Sequence, residues 1–124
     1  MIKQFLIVGF GGALGSMLRY ATSLVTSKYF SGTFPLATFV TNILGCLLIG
    51  MLIGYFNKNS NHNLQLLLIT GLCGGYTTFS AFAAENIALW QSQNYLGSLA
   101  YTIASVVIGL LAVGGGLTIS RLFF

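Results

Sequence analysis

Acidic side chains are almost absent from this chain: Glu85 alone stands against five lysines and arginines in 124 residues, and only 5% of the sequence is charged. Water-soluble domains carry about 25% charged residues, so a soluble fold is excluded and an integral membrane protein is left. The two cysteines, Cys46 and Cys73, lie in apolar stretches without CxxC spacing, which argues for small buried hydrophobes rather than a redox pair. One histidine, His62, sits in the loop "NKNSNHN" with no second ligand at metal spacing, and reads as a solvated loop residue. The cations are scattered singly, so no basic cluster exists that could hold nucleic acid. Neither a nucleophile with its base nor a metal cluster is visible, which leaves an enzyme without machinery. No small-x-small cleavage site precedes Arg19, so the apolar N-terminus reads as a first span and not as a removed signal.

What the chain does have is hydrophobic length, 56% of its residues. A spanning helix needs about 20 apolar residues. Four fit in one transmembrane domain over residues 1–124, with spans at about 5–25, 36–56, 64–90 and 95–120 and a turn marked by Gly32 and Pro35. Gly11 with Gly15, Gly12 with Ser16, Gly50 with Gly54, and the run Gly114 to Gly116 are spaced for close helix contact, as association in lipid requires. Lys3, Lys58 and Arg121 fall on the side of the termini, and Arg19 and Lys28 on the other. That bias is feeble for a positive-inside signal, and insertion in both orientations is expected.

Polar groups at membrane depth mark the functional candidates. Asn42 shares a helical face with Thr38 and Gly45, where an amide serves either as an interhelical hydrogen-bonding group or as part of a transport path. Tyr101, Ser105 and Gly109 form a second face, one turn apart. Arg19 is either an interfacial anchor or a cation at a pathway mouth. For Glu85 a hydrogen-bonding role within a helix or a vestibule is the commoner reading, a proton-coupling role the other. The segment "GLCGGYTTFSAF", residues 71 to 82, puts three glycines, two threonines and a serine around the midpoint of the third span, residue 77. Irregular backbone at that depth survives only where protein or a water-filled cavity takes its hydrogen bonds, and freed carbonyls there make cation sites. Phe79 and Phe82 follow three apart on one face. Such a pair usually packs a core, but its positive ring edges can also face an anion.

Taken together, "GGALGSMLRY" (11 to 20), the asparagine of "TFVTNILGC" (38 to 46) and "GLCGGYTTFSAF" (71 to 82) resemble the signatures of the Fluc (CrcB-type) fluoride channels, and the likeness covers all four spans. The resemblance implies an all-α membrane protein whose third helix is broken at mid-membrane, assembled as an antiparallel dual-topology homodimer with two pores. It implies passive, selective export of cytoplasmic fluoride across the inner membrane of a bacterium. It places Phe79 and Phe82 in the pore wall, with Asn42 as a pore donor and Arg19 as a vestibule cation. Thr38, Ser80, Tyr101 and Ser105 would belong to a polar track. A structural sodium ion at the dimer centre would be held by backbone carbonyls of Gly74 and Thr77. The chain departs from the family pattern at Ala81, where a second threonine often stands, and at Gly109, where a hydroxyl is expected.

A fluoride path makes chemical sense of these residues. The ion is small and tightly hydrated, so a selective pore must replace its water with donors such as the Asn42 amide, hydroxyls and ring edges, while Arg19 draws anions to the mouth. The main rival, a small four-helix multidrug or cation antiporter, needs a membrane-embedded acid, typically in its first helix, and this first span has none. An accessory subunit would leave the glycine-broken segment and the Asn42 face without a purpose.

Overall fold

The computed structural model describes residues 1–124 and is entirely helical. Helix α1 spans Ile2–Tyr29, α2 Leu36–Phe56, α3 His62–Gln65, α4 Gly74–Tyr76, α5 Phe79–Gln91 and α6 Tyr95–Phe123, with a wide π-helical segment, Leu66–Cys73, between α3 and α4. Four stretches are long and apolar enough to cross a membrane: α1, α2, the composite run His62–Gln91, and α6. The chain is a multi-pass membrane protein.

Side chains start several of these helices. Asn61 caps α3 by accepting from the Leu64 N–H at 3.1 Å, and Asn94 caps α6 by accepting from the Gly97 N–H at 3.0 Å. The turn from α5 to α6 is tight because Gln93 takes a left-handed conformation, φ 61°. Its N–H bonds to the Trp90 carbonyl and that of Asn94 to the Leu89 carbonyl, the two bonds of a Schellman ending.

The helices pack in two intimate pairs. One face of α1 lies on the π-helical segment and α4, while α2 lies along α6. Backbone meets backbone in both. A methyl group added to Gly15 would strike the Leu72 carbonyl and the Tyr76 nitrogen, and one on Gly116 would strike the Leu47 carbonyl. Gly11 and Gly50 are enclosed by backbone in the same way, and Gly54 by the Ser120 side chain, as their spacing predicts. Gly114 and Gly115 differ, with nothing within 4 Å of an added methyl, because they turn away from α2. Only 14 of 124 residues are buried, and half of them are glycines, so close backbone approach rather than an oily core holds the chain together.

This packing predicts that Gly15→Val is destabilised by about 3 kcal/mol, since the backbone it meets cannot move independently. Gly115→Ala should stay within about 0.5 kcal/mol of the parent. Thermal unfolding in detergent checks both, and equal losses at the two positions would contradict the packing scheme.

Candidate functional site

Helical geometry lapses at Thr77 and Thr78, which are both extended, with φ/ψ of −83°/159° and −151°/118°. The residues on either side cannot continue a helical ladder through them, so their backbone groups need other partners. The side chain of Asn42 on α2 supplies two. Its Nδ2 donates to the Thr78 carbonyl at 3.1 Å, and its Oδ1 accepts from the Thr78 N–H at 2.8 Å. The Thr78 hydroxyl then accepts from the Ala81 N–H at 3.2 Å and caps α5. The Thr77 carbonyl is left without a hydrogen bond in the chain. Gly45, one turn beyond Asn42 on α2, has no room for a side chain against Thr77. Asn42 is thus foremost an interhelical hydrogen-bonding group, and one of its two Nδ2 hydrogens stays available.

Two cavities flank this extended pair. The first, about 470 Å³, is lined by Asn42, Cys46, Thr77, Phe79, Phe82 and Ser105 among others. Phe79 is largely exposed, at 79%, and its ring lies 5.7 Å from that of Phe82, which in turn lies 5.0 Å from Tyr101. The Ser105 hydroxyl is buried without a partner. Beside it Gly109 is buried, and Cys46 Sγ would sit 3.5 Å from a Cβ there, so the cysteine fills space that a larger residue at 109 would take.

The second cavity, about 380 Å³, holds Arg19, Tyr20, Thr38, Thr41 and Glu85. Glu85 lines it on α5. Thr38 donates to Oε1 at 2.5 Å and Tyr101 to Oε2 at 2.8 Å, so one carboxylate joins α2, α5 and α6. Tyr101 is fully buried, its hydroxyl on Glu85 and its ring against Phe82 and Phe34.

The candidates from sequence therefore fall into two groups. Phe79, Phe82, Asn42 and Ser105 share the first cavity, Arg19 and Thr38 the second, and Tyr101 lines neither but touches Phe82 of the one and Glu85 of the other. Ser80 lines neither; it is exposed, with its hydroxyl 3.2 Å from that of Thr78. Gly74 is exposed and Thr77 half-buried on the open side of the first cavity. Glu85, for which the sequence favoured a hydrogen-bonding role without naming partners, accepts from Thr38 and Tyr101, and Thr78 was not singled out at all. The signal for Glu85 was its place three residues after Phe82, on the face that begins at Phe79. Nothing local in the sequence shows that Thr38 and Tyr101 converge on it.

Residues 6–117 match the family described as CrcB-like protein, Camphor Resistance (CrcB). The chain is 53% identical over 122 residues to the "Fluoride-specific ion channel FluC" of Flavobacterium psychrophilum, covering 97% of this chain and 98% of the relative. Proteins of the same description from Azobacteroides pseudotrichonymphae, 41% identical over 125 residues, and Paracoccus denitrificans, 42% identical over 124, match it over 99% and 100% of this chain and 100% and 99% of their own lengths.

The Asn42 clamp predicts that Asn42→Ala, which strips partners from a backbone N–H and a carbonyl at once, destabilises the protein by about 3 kcal/mol. Tyr101→Phe, which removes one hydrogen bond to a carboxylate, should cost about 2 kcal/mol. Denaturation in detergent measures both, and a neutral Asn42→Ala would mean that Thr78 finds other partners.

Proposed function

The chain belongs to the CrcB-like family, and on that premise we propose that it is a passive, fluoride-selective ion channel that relieves the cytoplasm of fluoride. The observation that carries the reading is the first cavity, where Phe79, Phe82, Asn42 and Ser105 converge beside the start of α5. A dehydrated fluoride ion needs several donors at short range, and this wall offers the spare Asn42 N–H and the rings of Phe79 and Phe82, with the unpartnered Ser105 hydroxyl buried behind it. The N-terminus of α5 adds partial positive charge to the same place. Because each contact is modest and the sites follow one another, the ion can leave as well as enter.

Arg19, in the second cavity, concentrates anions at the mouth. Glu85 opposes them, but its oxygens are engaged by Thr38 and Tyr101, so it holds two hydroxyls ready beside Phe82. An anion arriving there competes with the carboxylate for those donors. Thr38, Tyr101 and Ser105 form the polar track in this reading, with Cys46 standing beside Gly109 in place of the expected hydroxyl. Ser80, exposed beside Thr78, would enter the track only at an interface with a second copy.

The functional unit is an antiparallel homodimer with two pores in the inner membrane of a bacterium. The feeble charge bias supports it, because a chain that inserts either way presents both orientations for pairing. Two opposed copies are related by a two-fold axis in the membrane plane, and a helix broken near Thr77 lies at the depth of that axis. Gly74 and Thr77 fit a sodium ion there. The Thr77 carbonyl has no hydrogen bond to give up, and nothing packs over Gly74, whose nearest atom to an added methyl is the Ile69 carbonyl at 4.0 Å. Bound between two such segments, the ion would supply a fixed positive charge without any carboxylate.

Purified protein in liposomes tests the channel reading. Fluoride efflux, followed with a fluoride electrode, should be rapid and chloride efflux negligible. Phe79→Ile and Phe82→Ile, which keep apolar bulk but remove the ring edge, should lower fluoride flux severalfold while the dimer persists. Comparable chloride efflux, or folded protein without fluoride flux, would sink the proposal.

Orientation is tested separately. An engineered cysteine in the 57–63 loop, in an active background lacking Cys46 and Cys73, should react with a membrane-impermeant reagent from both faces of the membrane. Labelling from one face only would defeat dual topology and remove the symmetry basis for a shared ion.

A further inference from the structure

Helix α5 carries Phe79, Phe82 and Glu85, yet little apolar packing holds it. Leu89 is its one buried residue, and Ala84, Ile87, Ala88 and Trp90 are exposed. Its rotation about its own axis is therefore set chiefly by hydrogen bonds. Glu85 accepts two of them, and Asn86, the next residue, accepts two more from α6 while its amide nitrogen bonds back within α5. Ser98 donates to Asn86 Oδ1 at 2.8 Å, Thr102 donates to the same oxygen at 3.0 Å, and Asn86 Nδ2 donates to the Phe82 carbonyl at 3.0 Å.

Ser98 and Thr102 are one turn apart on α6, with Tyr101 between them. The stretch of α6 that supplies the ring against Phe82 and the hydroxyl on Glu85 thus also grips the amide tied to the backbone of Phe82. An amide in a membrane interior is costly when unpaired, so turning α5 far enough to misalign Phe82 would break a satisfied cluster. Asn86, Ser98 and Thr102 line neither cavity, which leaves them no direct contact with a passing ion.

We infer that Asn86, latched by Ser98 and Thr102, is a positioning residue that holds Phe82 and Glu85 against Tyr101 and so sets how strictly the pathway discriminates between anions. The inference rests on the channel reading above. Latched, α5 keeps one alignment; unlatched, it rotates among several, and donors spaced for a small ion no longer exclude larger ones.

The test compares Ser98→Ala/Thr102→Val, which removes both donors at little change in volume, with Ser98→Thr/Thr102→Ser, which keeps both hydroxyls, and with Asn86→Ala. Hydrogen bonds inside membrane proteins average about threefold each in an equilibrium, so losing two weakens the latch about tenfold, and fluoride efflux per dimer should fall severalfold as the latched population falls. Chloride efflux should rise in the same variants, a change that a role in stability alone would not produce. The hydroxyl-preserving pair should match the parent in flux and selectivity. Donor-lacking variants that assemble normally and keep parental flux and selectivity overturn the latch, and so do variants whose only defect is failure to assemble. A parent protein without fluoride flux overturns the channel reading itself, a result separable from either.

Discussion

Asn42 resolves a conflict that the third membrane-crossing run creates for itself. Two extended residues within a helix leave backbone donors and acceptors that hydrocarbon cannot satisfy, each costing several kcal/mol if unpaired. A single carboxamide faces Thr78 with an acceptor and a donor in the right order, replacing two missing ladder bonds at once. With Thr78 fixed, its hydroxyl can cap α5, and α5 can set out in a new direction carrying Phe79, Phe82 and Glu85. Without the clamp, the Thr78 N–H and carbonyl would lose both their side-chain partners.

Two kinds of contact then divide the structure. The pairs α1 with the Leu66–Cys73 segment and α2 with α6 are held by backbone approach at glycines, where small changes of shape are not tolerated. Helix α5 is held by side-chain hydrogen bonds at three levels, through Thr78, Glu85 and Asn86. A rigid frame therefore carries one polar-anchored element, and that element bears both phenylalanines and the only carboxylate.

Tyr101 links the residues of the two cavities. Its ring packs on Phe82 and its hydroxyl on Glu85, so apolar and polar surroundings meet on one fully buried side chain. Charge is similarly apportioned: Arg19 and Glu85 share a cavity, yet Glu85 takes its hydrogen bonds from hydroxyls, leaving the guanidinium to act at longer range.

Hydropathy and composition alone determined that this chain lies in a membrane as four long helices, because transfer of a segment into lipid depends on that segment's own residues. The glycine spacing at Gly11, Gly15, Gly50 and Gly54 was legible for the same reason: a flat helix face is a local property. Tertiary structure decided the partners. That Asn42 bonds to Thr78, that Thr38 and Tyr101 converge on Glu85, that Gly114 and Gly115 turn away from α2, and that Ser98 and Thr102 close on Asn86 all depend on how helices distant in sequence rotate against one another. A hydrogen bond between such helices has no period or spacing by which one sequence could announce it. It exists only once packing has fixed the rotation of both.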